Sequence, residues 1–321
     1  MNNCLNFSSF GIEVGQSKKG LSKSSEYARN YFSILKNAGI SVIDFGDVPL
    51  SANSKLVKFF SENDLKNYSW NDFQVAQKNS RTLLDLDEPL LNWGGDHSAA
   101  ISTVSAYVSK YPEGHVIWID AHADLNLPSK SLSGNLHGMP LSILCNLEDI
   151  SKFHFKWIQN YLDPKKLIYV GLRDVDPFEM DAIEKLGIKY FSASEIKEIG
   201  MSSVANQIKE IVKGSPVHIS FDIDSVDPAL APATGLHIPN GLSMEDLMIL
   251  GQACFQYFNL KSVDVFEINP TLGTLLEIDQ TYITAFYFLR SLFSHTQQGD
   301  MHESISKKLQ TTNINEMEWG L

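Results

Sequence analysis

Residues 116–126 read VIWIDAHADLN: the apolar run Val116–Ile119 leads directly into Asp120–Asn126, in which Asp120, His122 and Asp124 alternate. A short run that is apolar at every position, rather than at every second one, marks a strand buried on both faces, as in a parallel sheet covered by helices. Metal-binding side chains at its carboxyl end fall where open α/β sheets hold their ligands. Two further runs finish in the same way, since Val217–Phe221 is closed by Asp222 and Asp224, and His97 follows Pro89–Trp93.

Outward from these runs, short segments rich in Val and Ile alternate with longer helix-like ones, the sequence sign of parallel βαβ units. The pattern predicts strands near Ile40–Phe45, Pro89–Trp93, Val116–Asp120, Lys166–Gly171, Lys189–Phe191, Val217–Asp222 and Ser262–Glu267, with a first strand near Ser9–Val14. Helices are predicted over Ser25–Ala38, Ala99–Ser109, Ser203–Lys213 and Ser243–Phe258, several of them opened by a serine cap.

The ligand types decide the metal. One Asp alone reads as well as a helix or turn cap. Four carboxylates and two imidazoles at three strand ends would crowd like charges into one crevice, which is unfavourable unless cations neutralise them. A set of Asp and His without Cys suits Mn(II) better than thiolate-bound zinc. Six protein ligands are too many for one catalytic ion with an open position, whereas bridging carboxylates suit two ions about 3.5–4 Å apart that share a water. Two dications lower that water's pKa from about 15.7 towards about 7, which supplies hydroxide for hydrolysis of an electrophilic carbon.

Four stretches, GGDHS at Gly94–Ser98, DAHADLN at Asp120–Asn126, SFDIDSVDPALAPATG at Ser220–Gly235 and FEINP at Phe266–Pro270, resemble the ureohydrolases. SLSGNLHGMP at Ser131–Pro140 and GLRDVDP at Gly171–Pro177 resemble the arginase forms of two substrate-recognition loops. The resemblance implies a three-layer α/β/α fold around an eight-stranded parallel sheet. It implies two Mn2+ ions, one held by His97, Asp120, Asp124 and Asp222, the other by Asp120, His122, Asp222 and Asp224. Asp124 would also orient the hydroxide, His137 would shuttle protons, and Glu267 would pair with a guanidinium. Asn126 and Ser133, with Ser131 through a water, match residues that hold the α-carboxylate of L-arginine. Asp176, helped by Glu179, matches the receiver of its α-amino group, and Thr234 matches a residue at the guanidinium end. Homo-oligomers, trimers or hexamers, go with this family.

These roles agree with the chemistry of the groups. A carboxylate such as Glu267 can grip a planar guanidinium through two parallel charge-assisted hydrogen bonds. Hydroxyl and amide donors suit a carboxylate, and an acceptor suits an ammonium. Taken singly, Ser133–Asn135 (SGN) is an ordinary turn, His137 an ordinary histidine with a pKa near about 6.5, and Glu267 a strand-end cap. Their place beside the metal run favours the functional reading. His237, just beyond Thr234, reads as a surface residue.

The reaction so implied is hydrolysis of L-arginine to L-ornithine and urea. An agmatinase-like or other guanidino-substrate hydrolase is the near alternative, although agmatine offers no α-carboxylate to Ser133 and Asn126. A metal-bearing binding protein on the same scaffold would have lost a catalytic residue, and none of those named is missing.

Composition sets the remaining bounds. A chain of 321 residues, 43% hydrophobic, with no repeat or linker-like tract, reads as one α/β domain over 1–321, with a polar tail from about residue 296 that suits a flexible end or a strap between subunits. A net charge of −12 argues against nucleic acid or an anionic membrane as partner. Cys4, Cys145 and Cys254 form no disulfide or zinc pattern and fit a reducing cytoplasm. No apolar run approaches the roughly 18 residues of a membrane helix. In the region after Thr234, and at Glu245, the chain departs from the family pattern, so contacts between subunits are expected to differ.

Overall fold

The computed structural model describes residues 4–51, 70–148 and 155–294. Eight strands among them form one sheet: β1 (Cys4–Phe10), β2 (Ser41–Asp47), β3 (Leu90–Gly94), β4 (His115–Ile119), β5 (Leu167–Leu172), β6 (Lys189–Ser192), β7 (Pro216–Asp222) and β8 (Asn259–Phe266). Their order is β2-β1-β3-β8-β7-β4-β5-β6, and every pairing is parallel.

The helices are α1 (Ser24–Ala28), α2 (Phe32–Asn37), α3 (Trp70–Leu83), α4 (Ala100–Lys110), α5 (Pro140–Leu144), α6 (Pro177–Leu186), α7 (Ala193–Ile199), α8 (Met201–Val212), α9 (Met244–Tyr257) and α10 (Leu275–Phe293). They cover both faces, which explains the unbroken apolar character of VIWI. Val116 and Trp118 pack with Phe73 of α3 and Ile101 and Val104 of α4. Ile117 and Ile119 pack on the opposite side with Ile208 of α8, Leu247 of α9 and Phe286 of α10. Each face therefore has its own core, and the sheet lies between them.

The four strands that end at the predicted site residues, β3, β8, β7 and β4, are adjacent in the sheet. Pairing of Trp93 with Val265, of Ile119 with Phe221 and of Asp222 with Phe266 brings their carboxyl ends level. The late strands β7 and β8 fill the gap between β3 and β4, so residues far apart in sequence meet at one edge.

Most predicted elements lie within a few residues of those observed, with three corrections. The first strand is Cys4–Phe10 rather than Ser9–Val14; residues beyond Phe10 leave the sheet for a loop over its end. Ser25–Ala38 is not one helix but α1, a 3-10 turn at Arg29–Tyr31, and α2. Its Tyr31 stacks on Tyr282 of α10 at a centroid separation of 5.1 Å, a tertiary contact that local periodicity does not encode. The helix placed at Ser203–Lys213 begins earlier, at Met201, with Gly200 rather than a serine before it. Ser243 does cap α9, through a reciprocal pairing with Asp246. The tail expected from about residue 296 lies outside the described residues.

Candidate active site

His97 is set by what surrounds it. After β3, Asp96 accepts the Ser98 N–H at 3.0 Å and opens a 3-10 turn at His97–Ala99. The imidazole stacks on Trp118 at a centroid separation of 4.0 Å, and its Nε2 lies 2.9 Å from Ser220 Oγ. With Nε2 occupied, Nδ1 points at Asp120 Oδ2, Asp124 Oδ2 and Asp222 Oδ2, at 3.0, 3.1 and 3.0 Å. Among the described residues, this buried Nδ1 makes no hydrogen bond of good geometry. A ring nitrogen held by a second-site hydrogen bond and aimed into three carboxylate oxygens is the arrangement of a metal ligand.

Asp120 faces both histidines. Its Oδ2 accepts the Trp118 indole N–H at 3.0 Å and turns towards His97; its Oδ1 accepts the His122 N–H at 2.8 Å and lies 3.4 Å from His122 Nδ1. His122 Nδ1 also lies 3.1 Å from Asp224 Oδ2, and Asp222 accepts the Asp224 N–H at 2.9 Å. Two potential ion-holding groups result, His97–Asp120–Asp222 and Asp120–His122–Asp224, with Asp120 common to both. The donor set therefore fits a pair of divalent cations.

Charge supports the same conclusion. Burial, then the charge of neighbouring carboxylates, pushes the Asp222 and Asp224 carboxyls up and raises Asp124 to about 6. Burial works against Asp120 too, but the His122 and His97 imidazoles outweigh it and hold its pKa below the usual range. Burial also opposes a charged His97, and Asp120, Asp124 and Asp222 overcome it. Carboxylates stacked this way call for positive charge, and a bound cation supplies it without a proton.

Beside them, His137 Nδ1 lies 3.1 Å from Glu267 Oε1. Burial would lower the His137 pKa, but Glu267, with Asp124 and Asp96 behind it, raises it to about 9. Burial likewise opposes ionised Glu267, and His137 keeps its carboxyl low. Asp124 and Glu267 have φ of 51° and 63°, a left-handed backbone that costs a non-glycine residue free energy and is found preferentially at functional sites.

A cavity of about 330 Å3 opens above these groups. Of the predicted site residues, His122, Asp124, Asn126, Ser133, His137, Asp176, Glu179, Asp222, Asp224 and Glu267 line it, while His97 and Asp120 lie buried beneath. Ser131 and Thr234 are not among its lining residues. Ser131 instead shapes the recognition loop by accepting the Gly134 N–H at 3.0 Å, and the buried Thr234 bridges to Ile268. Asp176 and Glu179 form a reciprocal cap on α6, where Glu179 also accepts the Leu125 N–H at 2.9 Å. Asn126 donates to Asp176 at 2.8 Å, which ties the two recognition loops together. His237 is exposed and bonds to the Pro232 carbonyl, in keeping with a surface role.

The sequence reading missed the wall made by residues 15–18. Gln16, Ser17 and Lys18 line the cavity, as does Asp174, whose carboxylate lies 3.6 Å from His122 Nε2. No local signal marks a loop glutamine as buried; only the fold reveals it.

Comparison with known proteins follows the same lines. The model of a family described as "Arginase family" matches residues 14–294. Arginase-1 of Homo sapiens is 34% identical over 289 residues, covering 83% of this chain and 84% of its own. The crystal structure of Entamoeba histolytica arginase in complex with L-ornithine superposes with a TM-score of 0.79 at 28% identity, covering 91% of this chain and 99% of that one. A hypothetical agmatinase from Burkholderia thailandensis superposes less closely, with a TM-score of 0.70 at 25% identity, covering 90% of this chain and 84% of that one.

Proposed function

Since this chain belongs to the arginase family, whose model spans residues 14–294, we propose that it hydrolyses L-arginine to L-ornithine and urea with two Mn2+ ions. The observation that carries this reading is the shared position of Asp120 between His97 and His122, with the His137–Glu267 pair in the same cavity.

His97, Asp120, Asp124 and Asp222 would hold one ion, and Asp120, His122, Asp222 and Asp224 the other. Ions held there would supply an activated water for attack on an electrophilic carbon. Asp124, whose Oδ2 lies 3.1 Å from His97 Nδ1, would orient the attacking water. Glu267 stays ionised in a buried site and so attracts a guanidinium. His137, whose Nδ1 lies 3.1 Å from Glu267 Oε1, would carry a proton to the departing amine, and the Glu267 carboxylate favours its protonated form.

Ser133 and Asn126, which line the cavity, would provide donors for an α-carboxylate, Ser131 holds the loop that presents Ser133, and Asp176 would provide an acceptor for an α-ammonium. Thr234, bridged to Ile268 next to Glu267, would act on the guanidinium end from outside the cavity wall. The donors for an α-carboxylate are what favour arginine over agmatine, which has no carboxylate. A cytoplasmic location fits the three unpaired cysteines, and no helix among the described residues is long and apolar enough to cross a membrane. Urea release from arginine and from agmatine by Mn-loaded protein tests the reading.

A further inference from the structure

The loop that follows β1 brings Gln16 against Glu267. Gly15 makes this possible. Its N–H donates to Asp96 Oδ2 at 2.6 Å, and its carbonyl accepts the His137 N–H at 3.2 Å. A Cβ there would lie 2.7 Å from Asp96 Oδ1 and 2.8 Å from the His137 nitrogen, so only glycine lets the chain pass this close.

Gln16 itself is 6% exposed. Its Nε2 donates to Glu267 Oε2 at 2.8 Å, and its Oε1 accepts the Lys18 N–H at 3.1 Å. The orientation of this carboxamide is fixed by its partners: a carboxylate only accepts and a backbone N–H only donates, so the NH2 must face Glu267. The other carboxylate oxygen, Oε1, accepts the His97 N–H at 2.9 Å and faces His137 at 3.1 Å. Both oxygens of Glu267 are thus engaged before any substrate arrives, and a guanidinium meets only the lone pairs left over.

We propose that Gln16 is a positioning residue, whose carboxamide fixes the rotamer of Glu267 so that its carboxylate presents one set geometry to the substrate's guanidinium. The inference rests on the arginine-hydrolase reading. Without Gln16, Oε2 loses its one donor among the described residues and the carboxylate is pinned on a single side. It can then rotate about its last torsion, and binding must first restore the productive orientation. The effect is confined to the guanidinium end, because Gln16 makes no hydrogen bond to Asn126, Ser133 or Asp176.

The test compares Mn-loaded wild type with Gln16→Met, which keeps the side-chain length without a donor, and Gln16→Asn, whose amide is one carbon too short. Urea release by the wild type checks the underlying reading on its own. For both variants kcat/KM for arginine should fall about tenfold, the scale of a lost hydrogen bond to a charged group. Inhibition by L-ornithine, which lacks the guanidinium, should stay within about twofold, with bound metal unchanged. A fall of less than about threefold, or ornithine inhibition weakened by the same factor as arginine turnover, overturns the proposal.

Discussion

His137 Nδ1 lies 3.1 Å from Glu267 Oε1, and the two residues come from the loop after β4 and the end of β8. Each shifts the other: the carboxylate raises the imidazole against the effect of burial, and the imidazole lowers the carboxyl against the same effect. The pair is therefore charged on both sides across neutral pH.

A pH dependence follows, with its sign set by the two shifts. The imidazole's folded pKa is raised to about 9. Its contribution to stability is therefore complete below about pH 6.5, its ordinary value, and is lost as pH rises through about 9. The depressed Glu267 carboxyl contributes above its ordinary value of about 4.5 and loses that contribution as pH falls through its folded pKa. In protein stripped of divalent cations, the His137 ring should titrate near 9 by NMR, and Glu267→Gln should bring it down towards about 6.5. An unmoved His137 titration in that variant would show that another group sets it.

Asp120 touches both candidate ion positions, so Asp120→Ala should cost more than one ion's ligands. The expected result is less than one Mn2+ bound per chain and activity down by a factor on the order of 10³ or more. Metal content by elemental analysis checks this. A variant that keeps two tightly held ions would remove Asp120 from its bridging role.

Ser133 lines the cavity, on the loop held by Ser131. Ser133→Ala should raise KM for arginine roughly tenfold, from loss of a hydrogen bond to a charged carboxylate, with a smaller change in kcat. Agmatine turnover should not change, since it has no carboxylate to lose. An unchanged arginine KM would contradict the loop's role.

At Gly15, a methyl group meets Asp96 at 2.7 Å and the His137 backbone at 2.8 Å, so Gly15→Ala must shift the loop or its neighbours. Urea-induced unfolding should show a loss of roughly 1–3 kcal/mol, the usual cost of forcing a group into a packed site. Wild-type stability in this variant would mean that the loop yields freely.

What the sequence revealed tracks how local each signal is. VIWI before DAHADLN announces a strand covered on both faces, and the alternation of Val116 and Trp118 with Ile117 and Ile119 between the two cores is the reason. All six ligand candidates lie at strand ends and come together as the pattern predicts. Helix α10 was not foreseen, because thirteen of its nineteen residues are buried and no amphipathic stripe remains. Its cap was nonetheless readable, as Thr274 and Glu277 stand in the spacing of a capping box. Ser131 and Thr234 match by position but stand back from the cavity, a matter of loop path rather than residue type. Gln16 escaped notice for the opposite reason: the contact that matters, with Glu267, joins residues 251 apart in the chain.

The most direct test of the central claim is a substrate panel on the Mn-loaded wild type, with L-arginine, agmatine and other guanidino compounds compared at equal concentration. The account predicts urea and L-ornithine from arginine, with kcat/KM for agmatine lower by roughly 10²-fold or more for want of the α-carboxylate. Equal turnover of agmatine, or no urea from arginine, would contradict it.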